Sequence, residues 1–426
     1  MDLPEEMLAR ILANSSFRDI VRFKLVCREW KSLIESAHFR RLFHSTNHDL
    51  SSSAWSLVFN GDGSMNEVVS HCGRDGHCLS RSLGSYTSSF LKDLIRFKNQ
   101  EGDEKLELQA TRRKIKQTRV VACTDGLVLL VVKPLSGSDT YYVSNPVLRQ
   151  WVEIPPPQSE SIEDEDDYFK ILGLVTHVEN GAVSGYKVVR MAKFFAGPTS
   201  LDFQIYSSET GEWTIKEIHC PRAIRIMLNV DPINLNGSLH WLEVGVLTTD
   251  FIPQNFIPFD PAILTHDFYA NGSEADQFRI ISLPDNQQIF PCNENFFTTS
   301  GGFLMYINTN KNRNPKVRVW KLKNNGSDSG NDWEMLWDMN LSSIGFGRWW
   351  IPKAMHPFET DVIYVWNPHM ELLVSFNMRT QDITSQHASN APLIFKLLTP
   401  FVLPRWLESI PCPANLTFNV LPHELA

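Results

Sequence analysis

Little in this chain of 426 residues points outward from an aqueous compartment or toward chemistry of its own. Near the middle, the longest aliphatic run is Leu127–Val132, far short of the roughly 20 residues a helix needs to cross a bilayer. The first residues are acidic and lead into no apolar core segment, so no secretory leader is expected. The seven cysteines are scattered and odd in number, with no C-x-x-C pair among them, which fits free thiols in a reducing, intracellular setting. The lack of a C-x-x-C pair also excludes a RING-type zinc module. There is no phosphate-cradling G-x-x-x-x-G-K-[ST], no G-x-S-x-G elbow, no H-E-x-x-H and no EF-hand loop. Positive charge is scarce as well: residues 49–426 hold 32 Lys/Arg against 42 Asp/Glu, a poor basis for gripping a phosphate backbone. No catalytic residue, cofactor or metal is expected, and neither nucleic acid nor membrane is an expected partner.

The first 44 residues, in contrast, carry a surplus of apolar surface. Asp2 and Glu5 form a D-x-x-E capping pair around Pro4, and Leu8, Ile11 and Leu12 follow on one helical face. Ser16 and Asp19 make a second cap. Ile20, Phe23, Cys27, Trp30 and Ile34 then recur at spacings of three and four, with Leu25, Val26 and Leu33 widening the stripe of a helix or broken helix pair. A segment of about 45 residues seldom stabilises itself without metal, disulfide or association. Cys27 stands alone, so association is the remaining route.

Beyond Ser53 the helical period gives way to short apolar runs bounded by Gly, Asn, Asp, Ser and Pro. Runs open at Gly126, Gly185, Gly237, Gly302 and Asp361, a loose repeat. Further strand signals follow at 141–157, 203–218, 277–284 and 317–341, mostly as a strand, a polar turn and a strand bearing an aromatic residue. A four-stranded unit repeated radially makes a β-propeller, here of about six blades, with seven also fitting. The fold expected is a small all-α unit, residues 1–46, joined by a linker and poorly patterned first segment, 47–119, to a large all-β domain, 120–412.

Four local features invite chemistry. His71-Cys72 and His77-Cys78 place four zinc-competent side chains within eight residues, but adjacent pairs fit no common tetrahedral spacing and read as incidental. Ser159–Asp167 is strongly acidic and reads as a solvated loop between blades. Thr111–Arg119 is basic and reads as a strand or linker entering the ring, a phosphodegron grip being the sharper alternative. Gly345-Phe346-Gly347-Arg348-Trp349-Trp350 supplies the best anchors for a bound protein, namely Arg348, Trp349 and Trp350.

The run Asp2-Leu3-Pro4-Glu5-Glu6, then Ile11-Leu12, then Arg22 to Ile34 with its V-C-R-E-W-x-x-L-I core, resembles an F-box. Gly126-Leu127, Ser144-Asn145-Pro146 with Trp151, Tyr186 to Val189, Tyr206-Ser207-Ser208 with Trp213, Asn236 to Trp241 and Val319 to Leu322 resemble the kelch-like F-box-associated domain of plant proteins. The resemblance implies a substrate receptor of an SCF-type cullin ubiquitin ligase, non-catalytic in itself. It implies that Leu3, Pro4, Leu8, Ile11, Leu12, Ile20, Val26, Cys27, Trp30 and Leu33 face or support a Skp-family adaptor, and through it the cullin scaffold. The propeller would hold a substrate protein, in nucleus or cytoplasm. Asn14-Ser15-Ser16 departs from the Leu-Pro pair common in that family. The alternative is a stand-alone propeller scaffold or lectin-like binder whose N-terminal helices pack in cis.

Overall fold

The computed structural model describes residues 4–15, 17–47, 54–61, 64–71, 115–134, 139–157, 172–179, 181–191, 199–222, 224, 232–243, 262–270, 278–284, 296–310, 316–323, 332–346, 349–388, 398–403, 406, 408–413, 416 and 419–420. The expectations placed on Asp2, Leu3, Ser16, Arg348, the Cys72–Cys78 cluster and the acidic run 159–167 fall outside these residues.

Four short helices open the chain: α1 (Glu5–Ala13), α2 (Phe17–Phe23), α3 (Arg28–Glu35) and α4 (Ala37–Thr46). Pro4 is the N-cap of α1 rather than a residue of its first turn, and its carbonyl accepts from the Met7 and Leu8 amides. Proline suits this place because its missing N–H would find no partner there. Asn14 closes α1, its Nδ2 donating to the Arg10 carbonyl at 2.8 Å. Of the helix or broken helix pair that the stripe from Ile20 to Ile34 allows, the chain forms the broken pair: the break falls at Lys24–Val26, and Cys27 caps the next helix, its Sγ accepting the Trp30 amide at 3.4 Å. Ser36 does the same for α4 through Phe39. Ala9, Leu12, Ala13, Ile20, Leu33, Ile34, Phe39 and Phe43 form the core of the four helices.

The remainder is a ring of six antiparallel sheets. Blade two holds β3 (Ile115–Thr124), β4 (Leu127–Pro134), β5 (Thr140–Asn145) and β6 (Gln150–Ile154). Blade three holds β7 (Leu172–Glu179), β8 (Ala182–Met191), β9 (Ser200–Ser207) and β10 (Glu212–His219). Blade four holds β11 (Ile233–Leu235), β12 (Ser238–Leu242), β13 (Ala262–Asp267) and β14 (Arg279–Ser282). Blade five holds β15 (Phe296–Ser300), β16 (Phe303–Asn310), β17 (Lys316–Leu322) and β18 (Trp333–Asn340). Blade six holds β19 (Ile351–Met355), β20 (Val362–Asn367), β21 (Leu372–Asn377) and β22 (Asp382–Ala388). Blade one is shared between the two ends of the chain. β1 (Trp55–Gly61) pairs on one side with β2 (Ser64–His71) and on the other with β23 (Thr399–Val402). A short β24 (Asn419–Val420) adds to the outer edge of β6.

Each junction between blades has its own core. Val58 and Phe401 meet Val128 and Tyr142 between blades one and two. Val143 meets Tyr186 and Tyr206 between two and three, and Phe203 meets Trp241 and Leu264 between three and four. Ile263 meets Phe297 and Tyr306 between four and five, and Val319 meets Val365 and Phe376 between five and six. Trp55 and Leu57 meet Tyr364 and Trp366 between six and one, which closes the ring.

The turns that open blades two, four and five share one chemistry. Asp125-Gly126, Asn236-Gly237 and Gly301-Gly302 are two-residue loops with positive φ at both positions, as a type I′ hairpin requires. In blade three the expected opener, Gly185, lies inside β8; Gly181, with φ 76°, is the turn residue. Antiparallel order then sorts the loops. In blades two to six, the strand ends that lead from first to second and from third to fourth strand lie on one face of the ring, and those that lead from second to third strand or into the next blade lie on the other.

Candidate functional site

Two surfaces answer to the candidate residues, one on the helices and one on the propeller.

On the helices the candidates divide by exposure. Leu12, Ile20 and Leu33 are buried, and Leu8, Cys27 and Trp30 are half-buried. The Trp30 ring meets Phe23 edge-on at 5.5 Å, which braces the break between α2 and α3. Pro4 and Ile11 face solvent on α1, Ile11 being 54% exposed, and Val26 does so at 60% on the α2–α3 turn. Two residues missing from the candidate set join them: Met7, 53% exposed, and Leu25, 85% exposed. Pro4, Met7 and Ile11 are spaced to share one face of α1. Leu25 was legible as an apolar residue but not as an exposed one, because the helix break that turns it outward is invisible to periodicity alone. Pro4, Met7, Ile11, Leu25 and Val26 are thus five exposed apolar residues on a unit of about 45, each ordinary singly at a protein surface.

The helices do not stand free of the propeller. Trp406, three residues past the last described residue of blade one, is buried in the helical core, its ring 5.6 Å from Phe43 and 6.3 Å from Phe39. Lys24 and Arg40 lie over the same indole, at 5.5 and 5.9 Å. Arg40 also forms an ion pair with Glu408. His44 abuts the blade-three turn so closely that a β-carbon at Gly181 would sit 2.5 Å from its Cδ2. A cleft of about 390 Å³ lies along this seam, lined by Lys24, Glu35, Leu148, Gln150, Trp406 and Glu408 among others. The helices thus rest on the face that carries the β5–β6 and β7–β8 turns. None of Trp406, Arg40 or Glu408 was among the candidates; a lone tryptophan beyond the last strand signal was the available hint.

The propeller candidates lie on the opposite face, where β18 leads into β19. A 3-10 turn, Leu341–Ile344, ends at Gly345 in the left-handed conformation. Trp349 and Trp350 follow it and precede β19, so they do not alternate as strand neighbours would. Trp350 is half-buried 4.8 Å from Phe346, which packs on Phe376. Trp349 is 49% exposed and meets His369 edge-on at 4.6 Å. His369 and exposed Met370 sit on the β20–β21 turn, held by Asn367 Oδ1, which accepts both their amides. The second–third turn of blade six and the link entering it therefore form one aromatic and apolar patch. Of the basic run 111–119, residues 115–119 form the start of β3, the strand reading.

Among the described residues no three His, Cys, Asp or Glu side chains gather as a metal site. No helix among them is long and apolar enough to cross a membrane. Glu243, a fully buried carboxylate among the described residues, is held by Arg222 through two bonds of 2.7 and 2.6 Å, a structural pairing.

Comparison with known proteins gives a consistent picture. Residues 1–42 match the F-box domain, and residues 53–392 match the family described as F-box protein At3g26010-like, beta-propeller. The chain is 36% identical to the F-box/kelch-repeat protein At1g15680 of Arabidopsis thaliana, over 96% of this chain and 95% of that protein. It is 35% identical to F-box protein At3g28330 over 96% of both chains. With F-box protein At3g26010 it shares 34% identity over 97% of this chain and 92% of that one; both are from the same plant. With its helical unit and six-bladed ring, the chain belongs to the plant F-box proteins whose second domain is the At3g26010-like β-propeller.

Proposed function

We propose that this chain is the substrate-recognition subunit of an SCF-type cullin ubiquitin ligase. The observation that supports it is the exposed apolar set on a domain that is otherwise packed: Pro4, Met7 and Ile11 on α1, Leu25 and Val26 on the α2–α3 turn. In this reading those side chains, with Leu3, dock a Skp-family adaptor, and Leu8, Leu12, Ile20, Cys27, Trp30 and Leu33 hold the helices in the shape that presents them. The adaptor joins the chain to the cullin scaffold. The propeller holds the protein to be ubiquitinated, with Arg348, Trp349 and Trp350 contributing to its grip on the face away from the helices. The chain supplies recognition and position; other subunits supply the transfer.

The scaffold reading gains one observation, since α4 does pack in cis against Trp406. That packing leaves Pro4, Met7, Ile11, Leu25 and Val26 in solvent, which a cis-only role does not require. Size-exclusion co-elution with a purified Skp-family adaptor tests the proposal. The parent chain should co-elute, and Ile11→Asp with Val26→Asp should lose the complex while leaving the melting temperature unchanged, because both sites are already wet. A parent chain that never binds the adaptor would contradict it.

A further inference from the structure

The segment that follows the ring is pinned at both ends to different parts of the molecule. Toward the helices, Trp406 fills the core between Phe39 and Phe43 and its Nε1 donates to Glu408 Oε1 at 3.1 Å. Glu408 in turn pairs with Arg40 of α4. Toward the ring, the Glu408 carbonyl accepts from Asn145 Nδ2, and the Gln150 side chain clasps the segment twice. Its Nε2 donates to Ser409 Oγ and its Oε1 accepts the Ile410 amide, both at 3.2 Å. Ile410 is buried in the core between blades two and three, with Cys412 and Leu416 packed against the same core. The direct connection between helices and ring, residues 48–53, reads HDLSSS and is polar except for Leu50.

We propose that Trp406 and residues 408–413 form a strap that fixes the angle between the helices and the propeller, with Trp406, Glu408 and Arg40 as its positioning residues. This rests on the receptor reading for its consequence, since a receptor must hold its cargo at a set place relative to the adaptor. The strap reaches the adaptor-binding turn itself: Lys24, which lies over the Trp406 ring and pairs with Glu35 at 3.8 Å, immediately precedes Leu25 and Val26. Charged pairs at partly wet seams add little to overall stability, but reversing one partner sets like charges together and opens the contact.

The test compares small-angle X-ray scattering of the full chain, free and with a Skp-family adaptor, for the parent, Glu408→Arg, and the swapped pair Arg40→Glu with Glu408→Arg. Glu408→Arg should shift the scattering toward a broader, more extended distribution while adaptor affinity stays within about twofold. The swapped pair should return the scattering toward that of the parent, a rescue that a merely local packing defect would not show. Trp406→Ala should broaden the distribution in the same way. If its helices fail to fold, far-UV circular dichroism will reveal it, and the charge swap decides alone. Identical scattering for the parent and Glu408→Arg would overturn the strap. Failure of the parent to bind the adaptor would instead count against the receptor reading, and the free-chain curves would still decide whether the strap sets the angle.

Discussion

His240 and His356 hold their imidazoles neutral inside the ring. Burial lowers His240 from 6.5 to about 4, against the opposing pull of the Ile233 carbonyl 3.3 Å from its Nδ1. Burial and the nearby His71 lower His356 to about 4, and its Nδ1 accepts the Phe358 and Glu359 amides, which suits an unprotonated ring nitrogen. In the unfolded chain both would take up a proton near 6.5, so the unfolded state binds more protons between about 4 and 6.5. Stability is therefore complete above that window and declines as pH falls through it. Thermal melts from pH 7.5 down to about 4.5 should show a falling melting temperature. His356→Asn, which keeps an acceptor for the two amides, should flatten that slope; an unchanged slope would remove His356 from the account.

Among the elements, the outermost strands carry a repeated fastening. Trp213 at the start of β10 donates its Nε1–H to the Pro155 carbonyl beyond β6, at 2.6 Å. Trp333 at the start of β18 donates to the Ser282 carbonyl at the end of β14, at 2.8 Å. In each case a blade's outer strand is tied to that of the blade before it. Replacing either by Phe keeps a large apolar ring and removes one bond, for a loss of about 1 kcal/mol each. The two should add in a double variant because the sites are far apart; urea unfolding of the three variants measures this. Both tryptophans stood out in the sequence as aromatic residues opening a strand, but their partners lie across a blade boundary, where no periodicity reaches. The same limit explains other differences. The helix break at Lys24–Val26 and the role of Cys27 as a cap depend on local hydrogen bonds, not on spacing. β13 is buried along nearly its whole length, apolar in Ala262–Leu264 and polar from Thr265, so it has no alternation to reveal it. The hairpin turns were plain wherever Asp-Gly, Asn-Gly or Gly-Gly stood between apolar runs, and were misplaced only in blade three, where a second glycine, Gly185, lay within the strand.

At the scale of the whole molecule, six blades follow from a repeat that the chain displays openly, but closure does not. β23 pairs with β1 across more than 300 residues of sequence, and the Trp406 segment crosses to the helices from the far end of the chain. The helices lie on the side of the β5–β6 and β7–β8 turns, and the Trp349, His369 and Met370 patch lies on the other; in the proposed reading these are the adaptor and cargo faces. A receptor needs that separation, since the adaptor and the cargo must not compete for one surface. The central claim is that the exposed apolar side chains of α1 and the α2–α3 turn are an adaptor-docking surface. Isothermal titration of a Skp-family adaptor into the full chain tests it most directly. The account predicts saturable one-to-one binding that Ile11→Asp and Val26→Asp together weaken at least about a hundredfold, with circular dichroism and melting temperature unchanged. Binding that is absent in the parent chain, or undiminished in the double variant, would contradict it.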